Sequence, residues 1–123
     1  TLEYIHLHKT GALLRACVTC GALIGGADEK LLQALRVYAK GIGLAFQIID
    51  DILDVTASSE ILGKTAGKDL IADKTTYPKL LGLDESRRRA DYLVAQAKNA
   101  LDPWSDKSKP LLALADYITN RDR

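Results

Sequence analysis

Phe46-Gln47-Ile48-Ile49-Asp50-Asp51-Ile52-Leu53-Asp54 is the stretch on which the reading of this chain turns. Upstream of it, Leu31, Leu35, Val37, Tyr38, Ile42 and Ala45 continue the apolar spacing of Phe46, Ile49, Ile52 and Leu53. The recurrence every three or four residues is that of an amphipathic helix. It predicts one long helix that begins behind an Asp28 cap and whose pattern breaks near Val55-Thr56. Gly41 and Gly43 lie inside this run. Each disfavours helix by up to ~1 kcal/mol relative to Ala. Glycines in so apolar a helix therefore predict close approach by another helix or a ligand.

Turned through about 100° per residue with Gln47 at zero, Asp54 falls at about −20°, Asp51 at about +40° and Asp50 at about −60°. Three carboxylates and an amide thus share one arc, opposite Phe46, Ile49, Ile52 and Leu53. A solvated polar face is one explanation. Two features favour a divalent cation. The flanks are apolar enough to bury the helix, and clustered buried carboxylates repel. The acids also fall near the expected C-terminal end of the helix, where the macrodipole disfavours negative charge. Mg²⁺ takes carboxylate oxygens, keeps several waters and commonly bridges to phosphate, so it removes both objections.

Working outward, Leu13, Leu14, Cys17, Cys20 and Ile24 have helical spacing, and Gly25-Gly26 supplies a helix stop. Ala57-Ser58-Ser59-Glu60 and Gly63-Lys64-Thr65-Ala66-Gly67-Lys68 read as a polar loop. Lys64, Lys68 and Lys74 would face an anion there, and Gly63 and Gly67 let backbone approach it closely. Thr76-Tyr77-Pro78 starts a short helix that ends near Gly82. Asp84 is expected to cap another from Glu85 to about Leu101. Asp102-Pro103-Trp104-Ser105 forms a turn, and a last helix spans about Lys109 to Asn120.

The composition suits one small all-α domain. The chain has 123 residues, 47% hydrophobic, and a net charge of +1. Disorder and a disulfide scaffold are excluded, and no broad nucleic-acid footprint is expected. Arg87-Arg88-Arg89 reads as a solvated helix face. No apolar stretch reaches membrane-spanning length. Cys17-x-x-Cys20 lacks a second ligand pair for zinc, and His6 and His8 do not complete one, so buried free thiols and a reducing compartment are expected. Thr1-Leu2-Glu3-Tyr4-Ile5 opens abruptly without Met, so an N-terminal portion is expected to be missing and no targeting signal can be read.

The ordered set of motifs resembles the trans-type isoprenyl diphosphate synthases, which make farnesyl and geranylgeranyl diphosphate. Phe46 to Asp54 resembles the second aspartate-rich motif of that family. Lys9-Thr10-Gly11 resembles the Lys-Thr pair on its preceding helix. Gly63-Lys64, Gly67-Lys68-Asp69-Leu70 and Asp73-Lys74-Thr75-Thr76-Tyr77-Pro78 follow in family order, and Tyr117-Ile118-Thr119-Asn120-Arg121 resembles its C-terminus. The resemblance implies an antiparallel helix bundle, the C-terminal portion of the isoprenoid synthase fold. Residues 1–123 would be the C-terminal part of a polyprenyl synthetase domain whose N-terminal part, with the first aspartate-rich motif, is absent.

The activity so implied is condensation of an allylic prenyl diphosphate with isopentenyl diphosphate, with geranylgeranyl diphosphate the expected product and Mg²⁺ the cofactor. Asp50 would bind the metal directly, and Asp51 and Asp54 would support it. Lys9, Lys64 and Lys74 would hold diphosphate, and Lys74 and Asp69 would complete the electrostatic wall. Thr10 and Gln47 would face the developing allylic cation. A homodimer in the cytoplasm is expected, with the plastid as the alternative, and the fragment alone is expected to be inactive. Other readings are a class I terpene cyclase, a non-catalytic synthase-like subunit, and a plain helical bundle with a solvated polar face.

Overall fold

The computed structural model describes Ile5, residues 10–60 and residues 76–121, and among these no strand occurs. Helix α1 spans Ala12–Ile24, α2 Glu29–Glu60, α3 Tyr77–Leu81, α4 Leu83–Ala100 and α5 Lys109–Asn120, with a 3₁₀ turn at Asp102–Trp104. The chain is all-α. Among the described residues, no helix is long and apolar enough to cross a membrane. Lys9, Lys64, Asp69 and Lys74 lie outside the described residues.

Helix α2 is the axis about which the others pack. Its start follows the expected capping, with the Leu31 amide donating to Asp28 Oδ1 at 2.9 Å. Gly26, at φ +80°, takes the left-handed conformation that ends the preceding helix. Tyr38, Ala45, Ile48 and Ile49 are fully buried. They form the core with Ala90, Val94 and Ala97 of α4 and Ala115 and Ile118 of α5. The Tyr38 hydroxyl donates to the Leu111 carbonyl at 2.7 Å and pins the start of α5 to α2. Arg87 Nη1 donates to the Thr119 carbonyl at 2.7 Å, and Lys98 pairs with Asp116 at 2.7 Å. These contacts run α4 and α5 antiparallel, while Tyr38–Leu111 and Phe46–Arg121 run α2 and α5 in the same direction.

Gly41 marks close approach by another helix, as expected, whereas Gly43 meets its neighbours at ordinary contact distance. A Cβ at Gly41 would lie 3.0 Å from the Leu93 carbonyl oxygen and 3.1 Å from Ala97 Cβ of α4. At Gly43 it would lie 3.4 Å from Leu14 Cδ1 and 3.5 Å from Gly11 Cα, where α1 begins.

Several expectations require correction. Helix α2 continues through residues 57–60, which had read as loop. The Thr56 hydroxyl donates to the Ile52 carbonyl at 2.9 Å, so this polar residue is satisfied without leaving the helix. Helix α4 begins at Leu83 behind Gly82, and Asp84 and Glu85 occupy its first turn, where acids favour the dipole. Gly82, at φ +87°, turns the chain from α3 into α4 in one residue. Cys17 and Cys20 are exposed, not buried. So are Leu13 and Ile24, at 68% and 89%. Helical spacing identified the stripe, but α1 meets α2 along a narrow seam that includes Leu14 and Gly43. Val37 is also 53% exposed.

The arginine run is not a uniform solvated face. Arg88 is exposed and pairs with Glu85. Arg87 reaches α5, and the Arg89 guanidinium lies 5.9 Å from the centroid of the Tyr77 ring.

Candidate active site

The acidic face occupies the arc of α2 that begins at Gly43 and continues through Gln47, Asp50, Asp51 and Asp54. Steps of three and four residues keep these positions on one side of the helix. Gln47 and Asp51 are buried, at 8% and 9% exposure. Asp50 and Asp54 are partly exposed. The arc is therefore graded, with one carboxylate and one amide facing inward and two carboxylates reaching the surface. Burial of polar groups at a shared position is costly without partners or a ligand, which sets this face apart from a freely solvated one.

One of the two electrostatic arguments for a cation falls. With α2 ending at Glu60, Asp50 lies more than two turns from the terminus. The macrodipole acts within the last turn, so it does not disfavour Asp50. Mutual repulsion among neighbouring carboxylates remains.

Thr10 and Gly11 come against α2 through the Gly11–Gly43 approach, one turn before Gln47. Gly11 thus docks at the upper end of the acidic arc. Thr10 is partly buried there.

At the lower end stands a residue whose part in this face the sequence does not disclose. Arg121, just past α5, pairs with Asp50 Oδ1 at 2.9 Å. Its guanidinium lies 4.5 Å from the centroid of the Phe46 ring and donates to the Phe46 carbonyl at 3.4 Å. Phe46 is 75 residues away in sequence, and an arginine after the last helix carries no local sign of such a partner.

Among the described residues, no three Asp, Glu, His or Cys side chains converge to enclose a cation. The donor chemistry nevertheless fits Mg²⁺. Magnesium is commonly held by one or two carboxylates with waters and substrate phosphates, not by a closed protein cage. Asp50, Asp51 and Asp54 fit as one wall of such a site. An open groove of about 1160 Å³ lined by residues including Val37, Leu44, Tyr77 and Tyr92 contains none of the predicted site residues.

The family model described as Polyprenyl synthetase matches residues 1–108. The chain belongs to the polyprenyl synthetase family. It is 58% identical over 121 residues to a dimethylallyltranstransferase of Fischerella ambigua, covering 98% of this chain and 35% of that protein. It is 57% identical over 122 residues to a chloroplastic geranylgeranyl pyrophosphate synthase of Catharanthus roseus, covering 98% and 34%. Among solved structures it is similar to an FPP/GFPP synthase from Zymomonas mobilis, with 34% identity and a TM-score of 0.78, covering 94% of this chain and 36% of that one. The chain spans about a third of the length of the curated polyprenyl synthetases it matches.

Proposed function

We propose that this chain is the C-terminal part of a polyprenyl synthetase domain and carries one wall of its active site. The whole enzyme would transfer an allylic prenyl group from its diphosphate to isopentenyl diphosphate, with geranylgeranyl diphosphate as product. The observation that carries this reading is the Phe46–Asp54 motif on the stretch of α2 where Ala45, Ile48, Ile49 and Ile52 are buried, with Gly11 docked at Gly43, one turn above it. Relatives named as geranylgeranyl pyrophosphate synthases support the product, and the chloroplastic forms among them support the plastid, the alternative to the cytoplasm. The homodimer stays part of the proposal.

In this mechanism Asp50 would bind Mg²⁺ directly, and Asp51 and Asp54 would support it. The metal, when bound, would neutralise charge on the departing diphosphate. Lys9, Lys64 and Lys74 would hold the same diphosphate, with Lys74 and Asp69 completing the electrostatic wall. Gln47 and Thr10 would face the allylic carbon, where the amide and hydroxyl dipoles would stabilise the developing cation. Fixed dipoles aimed at developing charge act without reorganising during the reaction.

The test is turnover and thermal melting of the full-length protein carrying Asp50→Ala, Lys64→Ala or Arg88→Ala. The first two should lose at least a hundredfold in kcat, by about 3 kcal/mol or more of lost charge stabilisation. Asp50→Ala should shift melting little, since its ion pair is partly exposed. Arg88→Ala should leave both unchanged. Normal turnover by Asp50→Ala, or a loss that merely follows unfolding, would return the motif to a polar helix face.

A further inference from the structure

Arg121 holds Asp50 with more contacts than an exposed ion pair needs. Its side chain is 19% exposed, whereas that of Asp50 is 42% exposed. The guanidinium lies over the Phe46 ring at 4.5 Å, and Nη2 donates to the Phe46 carbonyl at 3.4 Å. Nε donates to the Ile118 carbonyl at 3.4 Å, within the end of α5. The cation is therefore placed by a ring and two carbonyls from two helices. Phe46 lies one turn before Asp50, so the guanidinium plane is set against the same helix that carries the carboxylate. A planar fork can stack and donate at once, which a lysine ammonium cannot.

We propose that Arg121 is a positioning residue for Asp50, fixing its carboxylate for a divalent cation. The inference rests on the metal reading of the acidic face. Arg121 engages Oδ1 from the protein side, and the exposed part of the carboxylate remains for the metal. Sharing a carboxylate in this way offsets repulsion from Asp51 and Asp54 before the metal arrives. It also restricts the rotamers that Asp50 must otherwise give up on binding. Groups that hydrogen-bond metal ligands commonly affect affinity 10–100-fold when removed. A net attractive effect is expected despite the positive charge, because that charge lies on the buried side and is neutralised by the pair itself.

The experiment measures Mn²⁺ binding to the full-length protein by electron paramagnetic resonance, with inorganic diphosphate present, for wild type, Asp50→Asn, Arg121→Ala and Arg121→Lys. Far-ultraviolet circular dichroism and melting establish that each variant is folded. Wild type should bind and Asp50→Asn should lose binding. Arg121→Ala should bind about 10–100-fold more weakly, and Arg121→Lys should recover part of that loss. Hydrogen exchange should show faster opening at 118–121 in both Asp50→Asn and Arg121→Ala. If wild type binds and Asp50→Asn does not, yet Arg121→Ala binds as well as wild type or better, the metal reading stands and the positioning role is overturned. If Asp50→Asn binds like wild type, or wild type fails to bind, both fall. Should Arg121→Ala prove unfolded, the decision passes to Arg121→Lys, whose wild-type affinity would overturn the proposal.

Discussion

Replacing Gly41 and Gly43 separately by Ala isolates the packing of α2 from its helix propensity. Both positions lie within one helix, two residues apart, so both substitutions gain about 1 kcal/mol from helix propensity. That term cancels in the difference between them. At Gly41 the added methyl meets the Leu93 carbonyl oxygen at 3.0 Å and Ala97 Cβ at 3.1 Å. Neither can swing aside, because one is backbone and the other has no rotamer. Helices α2 and α4 must separate by a few tenths of an ångström, an overpacking cost of about 1–3 kcal/mol. At Gly43 the methyl meets Leu14 Cδ1 at 3.4 Å, the mobile end of a side chain, and Gly11 Cα at 3.5 Å. Gly43→Ala should therefore be neutral or stabilising by up to about 1 kcal/mol. Gly41→Ala should be about 1–3 kcal/mol less stable than Gly43→Ala. In thermal melting this is a separation on the order of 10 °C. Urea denaturation gives the same difference from midpoints if the slopes agree. Equal stability of the two variants, or a more stable Gly41→Ala, would refute the idea that α4 approaches α2 through the missing Cβ.

Three further outcomes follow from particular contacts. Burial pushes the Tyr38 hydroxyl up to about 12 from its usual 10, so the folded protein keeps this proton longer than the unfolded chain. Stability should then be intact below pH 10 and fall as pH rises toward 12, and Tyr38→Phe should flatten that decline in denaturation measured against pH. Arg87→Ala should cost about 1–3 kcal/mol by stranding the Thr119 carbonyl, whereas Arg88→Ala should leave the denaturation midpoint where it was. Cys17 and Cys20 should both react with a thiol reagent in the folded 123-residue chain at the rate of an unfolded control, and slow labelling would contradict their exposure.

Periodicity made the helices legible because each carries an apolar stripe, and α2 buries the clearest one. Capping chemistry was legible at Asp28 and at Thr76, whose hydroxyl accepts from the Lys79 amide at 3.3 Å, but not at Asp84, which falls inside the first turn of α4. Which stripe finds a partner was not legible. The spacing of Leu13, Cys17, Cys20 and Ile24 is as regular as that of α2, yet these residues are exposed. Spacing reports amphipathicity, whereas burial depends on a second surface. The arginine run shows the same limit, since Arg87 and Arg89 acquire their roles from α5 and Tyr77. For the candidate site, the aspartate spacing was readable from α2 alone. Arg121 was not, because its contacts with Phe46 and Asp50 exist only after α5 packs beside α2.

The position of the acidic face follows from what surrounds α2. Helix α4 takes one side through Gly41, and α1 takes another through Gly43. Helix α5 closes a third, tied at its start by Tyr38 and just beyond its end by Arg121. The Gln47–Asp54 arc lies between the beginning of α1 and the end of α5, which supplies the Thr10 segment at one edge and a guanidinium at the other. A purely solvated face needs neither edge, and it would not bury Gln47 and Asp51 while leaving Asp50 and Asp54 open. Packing that is tight on three sides holds the carboxylate-bearing backbone still. On the proposed function that rigidity would serve the chemistry, because reorganisation would subtract from the stabilisation of a departing diphosphate. On that proposal Gly41 bears on the chemistry as well as on the fold, because it sets how closely α4 braces the helix that carries the acidic arc.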